Sequence, residues 1–217
     1  MHDRVELRIA GEVVVLLADR ALFWPARNRL LIADLHLGKA DTFRRAGIGL
    51  PRGGTTQDLE RLSLLIDETG AAALWVLGDM LHGPVHDTAW RQAWRDWRSR
   101  RPWLEVAVLA GNHDRVLADA SLDIRLLGER CDEVPFALRH HPEPVPNLHT
   151  LCGHLHPRLV LPGWPGKRWP VFWLRENVTV LPAFSAFTGG VLVNPSVGEA
   201  VAVCAQKGIV LVRSSPG

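Results

Sequence analysis

The sequence has 217 residues, of which 47% are apolar, and this length and composition predict one globular domain spanning residues 1–217 rather than a disordered chain. The 25 basic and 23 acidic residues nearly balance, so the net charge of +2 does not by itself indicate an anionic partner. Three cysteines are too few for a disulfide framework, no apolar run is long enough to span a bilayer, and no signal peptide is recognisable. We therefore expect a cytoplasmic protein without membrane contact.

The first half of the chain alternates between predicted strands and helices. Strand-like apolar runs occupy residues 5–9, 13–17, 21–24, 30–33, 73–79 and 104–111. Leucine and isoleucine recur on one face of residues 55–70, which predicts a helix that ends at Gly70. Trp90, Trp94 and Trp97 have helical spacing within residues 86–100, which favours packing into the core over stacking on bases. This alternation predicts a parallel α/β sheet.

The second half of the chain is rich in short strands with Pro and Gly between them. Predicted strands occupy residues 134–140, 149–154, 171–175, 178–184, 190–194, 199–205 and 208–213. Two sheets packed face to face, with helices outside them, would accommodate both halves.

Polar residues follow five of the predicted strands. The stretches are "DLH" at 34–36, "GD" at 78–79, "GNHD" at 111–114, "HHP" at 140–142 and "GHLH" at 153–156. In α/β sheets, ligands gather at the carboxyl ends of strands, so these residues are expected to converge. We expect Gly111 to allow the chain a sharp exit from its strand.

The residue types at these strand ends favour a metal site. They offer oxygen and nitrogen atoms and no thiolate, which favours Mn²⁺, Fe or catalytic Zn²⁺ over a closed structural zinc site. One ion takes roughly four to six such donors, and the candidates are too many for one comfortable site. Two ions about 3.5–4 Å apart, sharing a carboxylate, would use them all.

The ordered set of motifs resembles the calcineurin-like metallophosphoesterases across residues 34–156. This resemblance implies an α/β fold, a four-layer α/β-β/α sandwich of the calcineurin-like metallophosphoesterase type, with two metal ions at the strand ends. The longer stretches "ADLHLGKADTFRRAGIGLPRGGTTQDLERL", "LGDMLHG", "GHLHP" and "VFWLRENVTVLPAFSAFTGG" resemble small bacterial metallophosphoesterases associated with an ATP-dependent DNA ligase and a helicase. That group is regarded as DNA-damage-response endonucleases, which implies DNA as substrate and the ligase and helicase as functional partners.

The family resemblance also implies a role for each residue. The first ion would be held by Asp34, His36 and His156, and the second by Asn112, His154 and His140, with His141 as the alternative to His140. Asp79 would bridge the two ions. His113 would lie beside the scissile phosphate and serve the leaving oxygen, and Asp114 would orient its ring.

Four further residues are candidate substrate contacts. Lys39, Arg44 and Arg45 follow the first motif and could clamp substrate phosphates, although a solvated loop explains them equally well. His82 follows the bridging aspartate and could contact substrate or only support the site.

The sequence therefore predicts a phosphodiesterase that depends on two divalent metal ions, Mn²⁺ foremost, and attacks with a metal-bridging hydroxide. The preferred interpretation is a DNA endonuclease in bacterial DNA repair. The alternatives are a phosphatase or nucleotide-pyrophosphate hydrolase on a small molecule, and a non-catalytic protein-binding scaffold.

Overall fold

Two sheets and three helices make up the regular structure of the described residues. The computed structural model describes residues 3–45, 47, 49, 53–82, 88–112, 114, 117, 121–186, 188–205 and 208–214. Among these residues, the first sheet contains β1 (Arg4–Ile9), β2 (Glu12–Leu17), β3 (Ala21–Trp24), β4 (Arg29–Ile32), β5 (Ala73–Leu77), β6 (Glu105–Leu109) and β7 (Arg125–Leu126), in that spatial order. Strands β1 to β4 are antiparallel, and β4 to β7 are parallel.

The described helices belong to the first half of the chain. They are α1 (Lys39–Arg45), α2 (Gly54–Thr69) and α3 (Thr88–Ser99), with one 3₁₀ turn at Pro25–Arg27. Helix α2 ends as predicted, because Gly70 takes a left-handed φ of 65° and its N–H bonds to the carbonyl of Ile66. Helix α1 was not predicted, since its sequence carries four charged residues among seven and shows no strong apolar period.

The second sheet is built by the second half of the chain. Its strands are β8 (Arg130–Glu133), β9 (Phe136–Arg139), β10 (His149–Cys152), β11 (Arg158–Val160), β12 (Arg168–Leu174), β13 (Val178–Val180), β14 (Ala200–Ala205) and β15 (Gly208–Arg213). The spatial order is β15-β14-β12-β13-β10-β9-β8, and β11 pairs with β12 outside this path. Strand β10 is parallel to both β9 and β13, whereas the other pairs are antiparallel.

The core follows from the alternation of side chains along the strands. One face of β4, β5 and β6 packs against the buried faces of α2 and α3, where Trp90, Trp94 and Trp97 are buried as predicted. The other face meets the second sheet, with Trp75 and Phe136 among the shared core residues. Burying a large apolar side chain contributes roughly 1.5–3 kcal/mol, so the two sheets are held mainly by this shared core.

The α/β sandwich is therefore confirmed. In the described part of the chain its fourth layer is not helical. The outer face of the second sheet is covered by β11 and by the coil around Val193, which pack on Val171, Val201 and Val203. No described helix is long and apolar enough to cross a membrane.

Some predicted elements were wrong. Residues 190–194 form no strand but contribute one bridge, between Leu192 and Arg158. Because β11 contains only three residues, it offers this segment little edge to pair with. Strands β7, β8 and β11 were missed, since they have two to four residues each and depend on pairing with neighbours rather than on a local pattern.

Candidate metal centre

The ends of five strands meet at one place between the two sheets. Strands β4, β5 and β6 are parallel neighbours in the first sheet, and β9 and β10 are parallel neighbours in the second. The segment after β13 joins the two sets, because Leu181 N–H bonds to the carbonyl of Cys152 and Phe184 N–H bonds to the carbonyl of Ala33. The motif residues converge because the topology places their strand ends together.

Five of the predicted metal ligands have a left-handed backbone. The φ angles are 54° at Asp34, 49° at His36, 47° at Asp79, 70° at His154 and 48° at His156. A residue with a side chain pays roughly 1–3 kcal/mol for such a conformation, and strain of this kind concentrates at functional sites. The strain indicates that the surrounding structure holds these side chains in place for a purpose other than stability.

Asp34, His36 and His156 form the first cluster, and one ligand atom from each lies within 4.8 Å of the others. Nε2 of His156 lies 3.4 Å from Oδ1 of Asp34 and 3.5 Å from Nε2 of His36. Asp34 and His36 are buried, and His156 is partly exposed. These are the three residues that the sequence predicts for the first ion.

Asp79 lies between this cluster and the histidines of the second sheet. It forms a group with Asp34 and His140 whose ligand atoms again lie within 4.8 Å of one another. Its Oδ1 is 3.6 Å from Nε2 of His140. This placement suits a carboxylate shared by two ions.

The second cluster contains three histidines. His140, His141 and His154 form a group within 4.8 Å. Nδ1 of His154 is 3.1 Å from Nε2 of His140, and Nε2 of His141 is 3.1 Å from Oδ1 of the exposed Asn112. His140 is buried beside Asp79, and His141 is the partner of Asn112. Both histidines of "HHP" thus lie at the centre.

The donor set fits divalent cations. Oδ1 of Asp34 is buried and has no hydrogen-bond donor among the described residues. A buried carboxylate oxygen without a donor is costly unless a cation or proton neutralises it. Burial, followed by the neighbouring His140 and His141, lowers the pKa of His154, which favours the neutral imidazole that a metal ion requires.

Three motif glycines let the ligands approach one another. A methyl group on Gly78 would overlap the ring of His140, and one on Gly111 would overlap the backbone N and Oδ1 of Asp79. At Gly153 it would lie 2.6 Å from Oδ2 of Asp34. At Gly111 the φ angle is outside the left-handed region, and the lack of a side chain leaves space for Asp79. The expected sharp exit from the strand stays a prediction.

Asp114 fastens two of the motif loops together. Its Oδ2 accepts hydrogen bonds from the N–H groups of Gly111 (2.9 Å) and Met80 (3.2 Å), and its Oδ1 accepts one from Leu81 (3.0 Å). Burial raises the pKa of Asp114, and these three backbone bonds oppose that shift. His113 lies outside the described residues, so its predicted role and its bond to Asp114 stay predictions.

The predicted substrate contacts differ in where they lie. Lys39 opens α1 near the carboxylates of Asp34 and Asp79. Burial lowers the pKa of Lys39, and the negative charges of Asp34 and Asp79 oppose part of this shift. The ring centroid of His82 lies 5.3 Å from that of His36 and 5.9 Å from that of Phe43.

The other two predicted substrate contacts lie further along α1. Arg44 is partly buried on α1. Arg45 is the last residue of this helix, and its side chain is not among those that the structure describes.

A cluster of polar residues behind Asp34 was not predicted from the sequence. We call Arg20, Asp58, Arg61 and Ser185 the clamp. Asp58 and Arg61 on α2 form a largely buried ion pair at 3.0 Å, and Arg61 donates to the carbonyl of Phe184. Asp58 is bonded by the side chain of Ser185, and Arg20 donates to the Ser185 carbonyl at 3.1 Å. The Ser185 N–H in turn bonds to the backbone carbonyl of Asp34. Charged residues three apart on a helix gave no distinctive signal.

The chain is similar to a protein-family model and to solved structures. The model of the calcineurin-like phosphoesterase family matches residues 28–164. The crystal structure of the Pseudomonas putida nuclease MPE has a TM-score of 0.84 and 38% identity, covering 95% of this chain and 100% of that one. YfcE, a phosphoesterase from E. coli, has a TM-score of 0.48 and 17% identity, covering 85% of this chain and 97% of that one.

Comparison with curated proteins gives no match. The family match spans well over half of the sequence, and the similarity to MPE extends along nearly all of it. The chain belongs to the calcineurin-like phosphoesterase family and is a metal-dependent phosphoesterase.

Proposed function

We propose that this protein is a phosphodiesterase that uses two divalent metal ions, Mn²⁺ foremost, to cleave DNA. The observation that carries the proposal is the overlap of the three ligand groups. Asp34 belongs to two of them and His140 to two, so the donors form one continuous centre large enough for a pair of ions. The 38% identity to a nuclease over its full length supports a nucleic acid as the substrate, and the resemblance of the longer motifs to the ligase-associated group favours DNA.

Each ligand has a place in this proposal. Asp34, His36 and His156 would hold one ion, His140, His154 and Asn112 the other, and Asp79 would contact both. His141, which pairs with Asn112, would either keep that amide oriented or replace His140 as a ligand. When bound, the two cations would neutralise the phosphate and lower the pKa of a coordinated water.

The remaining residues would act on the substrate or support the metal ligands. The ammonium group of Lys39, near the carboxylates of Asp34 and Asp79, would bind a non-bridging phosphate oxygen. His113 would donate a proton to the departing sugar oxygen, which suits a side chain that titrates near neutral pH. Asp114 would keep the 111–114 loop against the bridging Asp79 through its three backbone bonds.

A substrate panel tests this proposal. The purified protein loaded with Mn²⁺ is assayed on bis-p-nitrophenyl phosphate, p-nitrophenyl phosphate and single-stranded DNA. Hydrolysis of the diester and of DNA is expected. Turnover of the monoester alone would replace the nuclease with a phosphatase, and two bound ions without any turnover would indicate a scaffold.

The metal and its stoichiometry are tested separately. Protein stripped with a chelator is reloaded with Mn²⁺, Fe²⁺ or Zn²⁺, and bound metal and DNA cleavage are measured together. We expect activity to follow the second equivalent of metal and to be highest with Mn²⁺. Full activity with one equivalent would contradict the two-ion proposal.

A role in bacterial DNA repair beside a DNA ligase and a helicase is also proposed, supported by the resemblance of the longer motifs to the ligase-associated group. Deletion of the gene is expected to increase sensitivity to DNA-damaging agents. The wild-type gene should restore resistance, whereas an Asp34→Asn copy should not.

A further inference from the structure

The charge of one segment differs from that of the rest of the chain. The protein as a whole has nearly equal numbers of acidic and basic residues. Residues 144–175, however, contain four basic residues, Arg158, Lys167, Arg168 and Arg175, and no aspartate or glutamate. Arg175 is paired with Glu199, so the other three remain to set the charge of this segment. Such a bias suits a polyanionic ligand.

These three basic residues lie on one hairpin, which we call the Trp164 hairpin (residues 158–170). It consists of β11, the connecting residues and the start of β12, with Arg158 opposite Pro170 and Val160 opposite Arg168. At its tip, the side chain of Trp164 is 59% exposed. An exposed indole on a hairpin that also carries Lys167 and Arg168 offers a flat face for stacking with cations beside it.

The indole of Trp164 is supported by its neighbours. Its ring lies edge-on to that of Trp169, with centroids 6.4 Å apart. Nζ of Lys167 lies 3.7 Å from the centroid of Trp169 and 6.0 Å from that of Trp164. A cation at this distance from the Trp169 ring is favourably placed against its π face. The hairpin therefore presents an aromatic face and a positive charge side by side.

The base of the Trp164 hairpin adjoins the metal centre. Arg158 is two residues from His156, and the chain from His156 to Trp164 spans at most about 29 Å. Residues 190–193 run beside this base, since Arg158 N–H bonds to the carbonyl of Val191, and a methyl group on Gly190 would overlap the carbonyl of His156. Val160, Val191 and Leu192 leave an exposed apolar strip there.

We propose that the Trp164 hairpin and this apolar strip bind a single-stranded nucleic acid and lead it to the metal centre. Resting on the proposed nuclease function, the proposal adds where the strand lies. Trp164 would stack on an unpaired base a few nucleotides from the scissile phosphate, and Lys167 and Arg168 would bind backbone phosphates. A duplex keeps its base faces covered by stacking, so an exposed indole favours a single strand.

A protein partner fits these features less well. The centres of protein–protein interfaces are depleted in charged residues, whereas here the aromatic and the basic side chains are interleaved at the tip of one hairpin. Interleaving of this kind is typical of surfaces that follow a nucleic-acid backbone and stack its bases.

The test uses two matched tryptophans. Trp103 is 58% exposed, almost as much as Trp164, and it lies before β6, at the end of the first sheet opposite the metal centre. Trp164→Ala, Trp164→Phe and Trp103→Ala are compared for binding of a fluorescein-labelled single-stranded oligonucleotide, measured by anisotropy in chelator so that nothing is cleaved. Trp164→Ala is expected to raise Kd roughly 5- to 100-fold, while Trp164→Phe restores part of the affinity and Trp103→Ala has no effect.

Kinetics then separate binding from chemistry. With metal present, Trp164→Ala should raise KM for the oligonucleotide and leave hydrolysis of bis-p-nitrophenyl phosphate unchanged, because the small diester does not reach the hairpin. Lys167→Ala should reduce the salt dependence of log Kd by about 0.7 per log unit of salt, the value for one contact to single-stranded DNA. Arg8→Ala, on the edge strand β1, should not change it.

Each outcome bears on one proposal. If wild-type protein binds the oligonucleotide through Trp164 but does not cleave it, the hairpin proposal stands and the nuclease function fails. Unchanged oligonucleotide affinity in both Trp164→Ala and Lys167→Ala, with normal thermal stability, would overturn the hairpin proposal. Conversion of a dimer into a monomer by Trp164→Ala, without any change in DNA affinity, would overturn it as well.

Discussion

Oδ2 of Asp34 accepts a hydrogen bond of 3.0 Å from the backbone N–H of His154. Asp34 follows β4 of the first sheet and His154 follows β10 of the second, so this bond joins the two sheets at the metal centre. The same carboxylate places Oδ1 3.4 Å from Nε2 of His156. One fully buried side chain thus helps to assemble the sandwich and supplies a metal ligand.

The first prediction concerns this carboxylate. Asp34→Asn keeps the shape of the side chain but removes its charge, so we expect the protein to lose at least one equivalent of bound metal. Activity on bis-p-nitrophenyl phosphate should fall at least about 100-fold, since changes even in residues that only support a metal ligand cost 10- to 100-fold. Elemental analysis after gel filtration, paired with the kinetic assay, gives both quantities.

Asp96→Asn is the control for Asp34→Asn, because the carboxylate of Asp96 is exposed on α3 and, among the described side-chain contacts, bonds only to Gln92. Chelation should lower the Tm of the wild type and of Asp96→Asn, since bound metal stabilises the folded state by mass action. A full metal complement in Asp34→Asn would contradict the assignment.

The second prediction separates a ligand from a catalytic side chain. His140→Ala should lose metal and activity together, because His140 belongs to two of the three ligand groups. His113→Ala should retain both ions while kcat falls by about 100- to 10,000-fold, the usual contribution of a general acid. Metal content and kcat are measured on the same preparations, and loss of metal in His113→Ala would show that this histidine is a ligand instead.

The third prediction tests the glycine at the bridging aspartate. Gly111→Ala should push Asp79 away and lower metal affinity, and it should destabilise the fold by about 1–3 kcal/mol as other overpacked sites do. Gly189→Ala is the matched control, because a methyl group on Gly189 would meet no atom of the described residues within 4 Å and its φ is outside the left-handed region. Isothermal titration with Mn²⁺ and urea unfolding compare the two variants. Equal metal affinities in both would refute the steric argument.

The fourth prediction concerns the clamp behind Asp34. Arg61→Met should destabilise the protein by about 3–5 kcal/mol, because it leaves the largely buried carboxylate of Asp58 without its partner. The double variant Asp58→Asn with Arg61→Met should lose clearly less than the sum of the two single changes. Urea unfolding at constant m value measures this cycle, and strict additivity would show that the two side chains act independently.

The fifth prediction is a pH dependence of stability. Burial lowers the pKa of His149 below its usual value of 6.5, and its Nε2 pairs with Oγ1 of Thr179 at 2.8 Å. The unfolded chain therefore takes up this proton at a higher pH than the folded one, so stability from this group is complete above pH 6.5 and is lost as the pH falls below it. In His149→Asn that part of the pH profile should be flatter, as measured by urea unfolding between pH 5 and 8. If the stability of the wild type and of His149→Asn changed with pH in the same way, the proposed contribution of His149 would be contradicted.

Local patterns account for the elements that the sequence predicts well. Helix α2 and strands β4, β5 and β6 carry apolar periods that arise within a few consecutive residues. The metal motifs are recognisable for a related reason, since each places its ligands within a few residues after one strand. Strand β7 escapes prediction because its two residues, Arg125 and Leu126, are both exposed and have no apolar pattern of their own.

The amino-acid sequence by itself determined the α/β class, which strands along the chain are followed by ligands, and the chemical type of the metal centre. Periodicity and donor type are local properties, so a short stretch of sequence records them. The family resemblance implied how the ligands divide between two ions. Only the tertiary structure showed that His140 and His141 both belong to the second cluster, that Gly111 makes room for Asp79, and that α2 holds the segment beside Asp34. These relationships join residues from tens to more than one hundred positions apart. They depend on how two sheets pack, which no short window of sequence records.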